Sequence, residues 1–174
     1  MLYSFDGKQP VIGKESYVSE TAILVGGIVI GDNCYIGHGA ILRADYGNIE
    51  IGNGTAIEEG VVVHSPPDET CYIGNRVTIG HGAVIHSARI ADNATIGMGA
   101  ILSIRSEIGE NTIVAEGTVV KMNQIIPSDV LAAGNPARVK REVGSENSKF
   151  WEWGKQLYID LAKKYLKIGM KRID

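Results

Sequence analysis

At 174 residues and 18.7 kDa the chain is long enough for one domain with a substantial core, plus an appendage. Its formal net charge is -3, and its basic residues, gathered mainly after Lys121, alternate with acids or fall on a helical pattern, which argues against nucleic-acid binding. Two cysteines, Cys34 and Cys71, are too few for a disulfide framework and form no C-x-x-C pair, so free thiols in a reducing cytoplasm are expected. The opening MLYSFDGKQP has no basic region followed by an apolar core, and no apolar run reaches membrane-spanning length; the expectation is a soluble cytoplasmic protein with no membrane partner.

From Ile12 onward an aliphatic residue recurs every six positions, through Val18, Leu24, Ile30 and Ile36 to Leu42. The series resumes at Ile51, Ile57 and Val63, then Ile73, Ile79 and Ile85, then Ile90, Ile96 and Leu102, and ends with Ile108, Val114, Val120 and Ile126. Glycine often follows the aliphatic residue, as at Gly13, Gly31, Gly52, Gly80 and Gly109, and small residues such as Ala22, Cys34, Ala40, Ala83 and Thr112 recur four positions after it. A period of six fits neither a helix nor simple alternation; it suits short strands joined by tight corners, and the predicted object is a parallel β-helix.

On these residues the chain resembles the hexapeptide-repeat family from about residue 10 to residue 140. That resemblance implies an all-β solenoid, a left-handed parallel β-helix of triangular section with three hexads per turn. It does not select a function, because acyltransferases and carbonic anhydrases share the repeat.

Two stretches break the rhythm. Tyr46-Gly47-Asn48-Ile49-Glu50 lengthens one step by three residues, and Ser65 to Tyr72, with Pro66-Pro67, adds a loop directly after His64. After Pro127 the repeats fade, and from about Ser148 to Lys167 the spacing becomes helical, with Phe150, Trp153, Leu157, Leu161, Tyr165 and Ile168 as the expected packing stripe and Lys155 on another face. The expected division is a β-helix domain over 1–140 and, over 141–174, a C-terminal helix lying along the prism. Both tryptophans fall in that helix and are expected to pack.

Three of the four histidines lie between residues 64 and 86. In the three-hexad frame, Arg43, His64 and His86 each follow the third aliphatic residue of their coil and form one column. With strands about 4.8 Å apart, His64 and His86 can reach a single ion. His81 follows the second aliphatic residue and falls too far away within its own chain, so the spacing predicts that a neighbouring chain supplies it, and a triangular prism packed three-fold gives three such sites.

The segments V-V-H at His64, I-G-H-G-A at His81 and V-I-H at His86, with A-I-L-R-A-D carrying Arg43 and Asp45, narrow the resemblance to the gamma-class carbonic anhydrases. It implies a homotrimer whose three histidines bind zinc, or iron(II) or cobalt, across a subunit boundary, with the Arg and Asp organising interface and site. The implied reaction is reversible hydration of carbon dioxide to bicarbonate, using a water made acidic by the metal. Departures are visible: Tyr46 stands where some members carry a proton-shuttling glutamate, Glu58 replaces a glutamine, and a longer acidic loop is missing. Glu58 is read as a hydrogen-bond partner or base, or as a solvated edge residue. His38 is expected to be structural, and Cys71, near the loop end, is only weakly suspected as a ligand. The alternatives are an acyltransferase or thioesterase of the same fold and a non-catalytic trimeric metal-binding or assembly protein.

Overall fold

The computed structural model describes residues 1–173, apart from the side chains of 145–148. Each aliphatic residue of the hexad series ends or lies within a strand, and its side chain points inward. The strands stack coil on coil in parallel register, as in Thr78↔Ala56 and Thr78↔Thr95 on one face, and Val84↔Val62 and Val84↔Ile101 on the next. The result is a left-handed parallel β-helix of about seven turns with one C-terminal helix.

The first face contains Tyr17–Val18, Tyr35–Ile36, Ala56–Ile57, Thr78–Ile79, Thr95–Ile96, Ile113–Val114 and Val130–Ala133. The second begins in the first halves of the long strands Ile23–Ile30 and Ile41–Ile51 and continues through Val62–His64, Val84–His86, Ile101–Leu102 and Val119–Val120. The third takes the second halves of the same long strands, then Thr70–Ile73, Arg89–Ile90, Glu107–Ile108 and Ile125–Ile126. An antiparallel strand, Arg138–Glu142, closes the first face beside Val130–Ala133.

The interior is a stack of isoleucine, leucine and valine, with Ile57, Ile79 and Ile96 wholly buried. Full burial of such a side chain contributes about 1.5–3 kcal/mol. The corners use glycine for two different reasons. At Gly109 a Cβ would lie 2.3 Å from the backbone nitrogen of Ser128 in the following coil, so the residue after the aliphatic one must be bare. At Gly117 the space is open, but φ is +64°, a left-handed conformation that Asn111 and Asn123 also adopt at other corners. At the corner between third and first faces, Asp32, Asn53, Asn75 and Asp92 form a ladder in which each side-chain oxygen accepts from the backbone N–H one coil below.

Both interruptions of the repeat are bound to the prism. The three extra residues near Tyr46 shift the pairing of the two long strands, and Lys8 Nζ donates to the Tyr46 and Gly47 carbonyls. The loop after His64 is closed by Ser65 Oγ donating to the Glu69 carbonyl and pinned by an Arg105–Glu69 ion pair at 2.7 Å.

The helix runs over Ser145–Ile168 and lies on the first face, but rotated from the expected stripe. It buries Lys155, Ile159 and Ala162 and half-buries Trp151, Tyr158 and Tyr165, whereas Phe150, Trp153, Leu157 and Ile168 are exposed, Trp153 by 60%. Close fit explains the choice. Ala162 is small enough to sit against Tyr35 and Ala56, Ile159 meets the Cβ-less Gly54, and Tyr165 stacks on Tyr17 with ring centroids 4.5 Å apart. Among the described residues no helix is long and apolar enough to cross a membrane.

Two outcomes follow from this packing. Gly109→Ala should destabilise the fold by about 1–3 kcal/mol in denaturant titration, because the methyl meets fixed backbone, while Gly117→Asn should stay within about 0.5 kcal/mol of the parent. Cys34 and Cys71 are wholly buried, and burial pushes both thiols up, Cys71 to about 12. A thiol-specific disulfide reagent should therefore leave the native protein unlabelled over the time in which the denatured chain reacts completely at both.

Candidate metal centre

The corner between second and third faces carries the predicted column. Leu42, Val63 and Ile85 point inward, so the residue after each points out. Arg43 pairs with His64, and His64 with His86, in direct Cα register. The two imidazoles lie side by side, centroids 5.1 Å apart and planes 28° from parallel. Asp45 completes this edge: its Oδ2 accepts from Arg43 Nη1 at 2.6 Å, while its Oδ1 accepts the Tyr46 backbone N–H at 3.1 Å and lies 3.9 Å from His64 Nε2.

Partial burial, then the charges of Arg43 and His86, hold the His64 imidazole below its ordinary value, leaving it neutral with a lone pair to donate. For Asp45, burial opposes ionisation, but the hydrogen bond and charge of Arg43 together with the Tyr46 backbone N–H keep the carboxylate below its usual range.

His81 stands at the other edge of the second face, at the corner with the first. Both of its ring nitrogens meet carboxylates: Nδ1 is 2.8 Å from Glu59 Oε2, and Nε2 is 3.1 Å from Glu58 Oε2. Glu58 Oε2 also accepts the His81 backbone N–H, and its side chain bonds Tyr158 of the helix. Glu58 is thus buried, not a solvated edge residue, and burial raises its pKa. Glu59 accepts from the buried Tyr35 hydroxyl at 2.6 Å, and although burial opposes ionisation, this bond together with its own backbone N–H and the neighbouring histidines holds Glu59 low. One of the two carboxylate contacts must yield for His81 to offer a lone pair.

Among the described residues, no three His, Cys, Asp or Glu side chains of one chain converge as a metal-holding group. The donor set still suits a divalent ion: two imidazoles in register on one edge and one imidazole, oriented by a carboxylate, on the other. Between these edges the second face presents Ile23, Ile41, Val62, Val84, Ile101 and Val119 outward, with Ile41, Val84 and Ile101 each about two-fifths exposed. The helix packs on the first face, and the third mixes Glu50, Tyr72, Arg89 and Glu107 with the exposed Val29 and Ile125, whereas the outward residues of the second are aliphatic from Ile23 to Val119. His38 is held by Ser19 Oγ at 2.6 Å and edge-on to Tyr17, as expected of a structural residue, and Cys71 is sealed in the core away from any ligand role. Tyr46 is exposed.

Glu59, Tyr35 and Tyr158 are the site residues that pattern reading missed. Glu59 had a signal, since it occupies the His81 position of the hexad one coil earlier; the tyrosines had none, because only the docked helix and first face bring them there.

Comparison with known proteins agrees with this geometry. Residues 9–44 match the family model described as bacterial transferase hexapeptide (six repeats). The chain is 35% identical over 169 residues to gamma carbonic anhydrase 2, mitochondrial, of Arabidopsis thaliana, covering 94% of this chain but 60% of that protein, so it spans about three fifths of that relative's length. A carbonic anhydrase of Geobacillus kaustophilus is 32% identical over 172 residues, covering 99% of this chain and 94% of the relative. Carnitine operon protein CaiE of Escherichia coli is 33% identical, covering 92% and 82%. The crystal structure of a hexapeptide transferase family protein from Anaplasma phagocytophilum superposes with a TM-score of 0.90 at 32% identity, covering 94% of this chain and 97% of that one. With its hexad prism and its histidines on two corners, the chain belongs to the gamma carbonic anhydrase family of hexapeptide-repeat proteins.

Proposed function

We propose that the chain is a metal-dependent hydrolyase acting on carbon dioxide and bicarbonate as a homotrimer. Three copies pack around an axis facing their second faces. His64 and His86 of one subunit, with His81 of the partner subunit, hold a divalent cation, zinc or alternatively iron(II) or cobalt. The observation that carries this reading is the paired His64 and His86 on one edge of an uncovered aliphatic face, with His81 on the opposite edge. Three-fold packing of that face brings the His64–His86 edge of one subunit to the His81 edge of the next.

When bound, such a cation supplies Lewis acidity, bringing the pKa of a coordinated water to about 7. The rest is done by the chain. Burial keeps His64 neutral, as a ligand must be. Glu59, backed by Tyr35, fixes the tautomer of His81. Arg43 and Asp45 hold each other at 2.6 Å beside the ligand pair, where they can brace the subunit boundary. Glu58, whose pKa burial raises, is placed to exchange a proton at its carboxyl, a role open because Tyr46 offers no carboxylate. The aliphatic face excludes water around the polar edge.

The purified protein should carry about one divalent ion per chain and hydrate carbon dioxide when prepared anaerobically, and His81→Ala should abolish both. Metal without hydration would favour an assembly role, and coenzyme A–dependent turnover without metal would favour the transferase alternative. Sharing across subunits has its own test. Co-refolding inactive His64→Ala with inactive His81→Ala at equal amounts should restore roughly a quarter of the parent's sites by random mixing in a cyclic trimer; a site built within one chain restores none. Glu59→Gln should weaken metal affinity by about 10–100-fold in chelator competition.

A further inference from the structure

The side of the helix that rests on the prism buries a lysine. Lys155 is 3% exposed, and its Nζ donates to Thr95 Oγ1 at 2.9 Å. An ammonium has three donors to satisfy, and one hydroxyl serves it here. Beside it, between helix and sheet, lies a cavity of about 40 Å³ bordered by Asn93, Thr95, Asn111, Trp151 and Glu152. That space is about the size of one small molecule. Burial, aided by the positive charge of Arg76 and opposed by Glu152, lowers the Lys155 amine to about 8. A substantial fraction is therefore the neutral, nucleophilic amine near physiological pH.

We propose that Lys155 is a site of reversible carbamylation by carbon dioxide. The amine lone pair forms a bond to the carbon, one C–O π pair moves onto oxygen, and the nitrogen loses a proton to solvent. The products are a lysine carbamate and H⁺, with no oxidant or further reactant required. Carbon dioxide suits the site because it is small and uncharged, and reaches a buried amine without the desolvation penalty an ion would meet. The resulting anion has partners in place: the Thr95 hydroxyl can turn to donate, and the Arg76 guanidinium, which pairs with Glu152 at 2.7 Å, offsets the charge of that carboxylate. The modification does not rest on the metal-centre reading, since dissolved carbon dioxide is sufficient. It does lie close to that centre: Thr95 and Trp151 also border a groove of about 230 Å³ that reaches Glu58 and His81, and Tyr158, the helix partner of Glu58, is one turn from Lys155.

The test is to equilibrate the native protein with ¹³C-labelled bicarbonate and carbon dioxide. Carbamate is then observed by ¹³C NMR, and trapped by alkylation with a trialkyloxonium salt for peptide mass spectrometry. The expected result is a single trapped carbamate at Lys155, with a fraction that rises as pH passes about 8 and falls several-fold in Thr95→Val. Lys155→Met, checked for retained fold by circular dichroism, should lose the NMR signal. A native protein with no adduct at Lys155, or no more there than at the exposed Lys149 and Lys163, overturns the proposal.

Discussion

Parallel backbone pairing holds each coil of this prism one strand spacing above the last, and that single constraint governs where each residue of the repeat falls. With the coils in register, a residue's place in its hexad decides whether it lies inside or outside, on which edge, and above which residue one coil earlier. The aliphatic positions become one continuous buried core. The positions after them become corners where another coil's backbone passes close to Gly109, or where a left-handed turn is required at Gly117. Arg43, His64 and His86 fall on one line for the same reason that Leu42, Val63 and Ile85 do.

The same geometry separates the histidines that look adjacent in sequence. His81 and His86 belong to one coil but to opposite edges of its second face, and each edge has its own electrostatic setting. On one, burial and nearby positive charge lower the His64 pKa beside an Asp45 carboxylate paired with Arg43; on the other, His81 sits between two carboxylates, one raised by burial and one lowered with help from a tyrosine. Binding energy for a metal would then be energy for assembly, because neither edge alone offers three ligands.

The helix ties the stability of the prism to its chemistry. It covers the first face, brings Tyr158 to Glu58, and sets Lys155 against Thr95. Its orientation was the part least legible in advance. Apolar residues occur almost all around it, so spacing admitted two stripes, and the one chosen includes a lysine. Ala162, the bare Gly54 and the Tyr17–Tyr165 stack decide the matter, and none of these is a property of the helix sequence alone. Glu58 was equally undetermined, because whether a carboxylate at a corner is solvated depends on what is packed over it.

The six-residue period determined the solenoid and its inward columns, and, with the three hexads per coil that the family resemblance implies, the register of Arg43, His64 and His86 and the separation of His81 from them. Those follow from backbone geometry that repeats, so position in the chain is position in space. Tertiary structure alone decided which side of the helix is buried, that Glu58 is enclosed and bonded to Tyr158, that Glu59 and Tyr35 hold His81, and that Lys155 faces a small cavity between helix and sheet. Each of these depends on contact between elements distant in sequence, with no repeat to carry the information from one to the other.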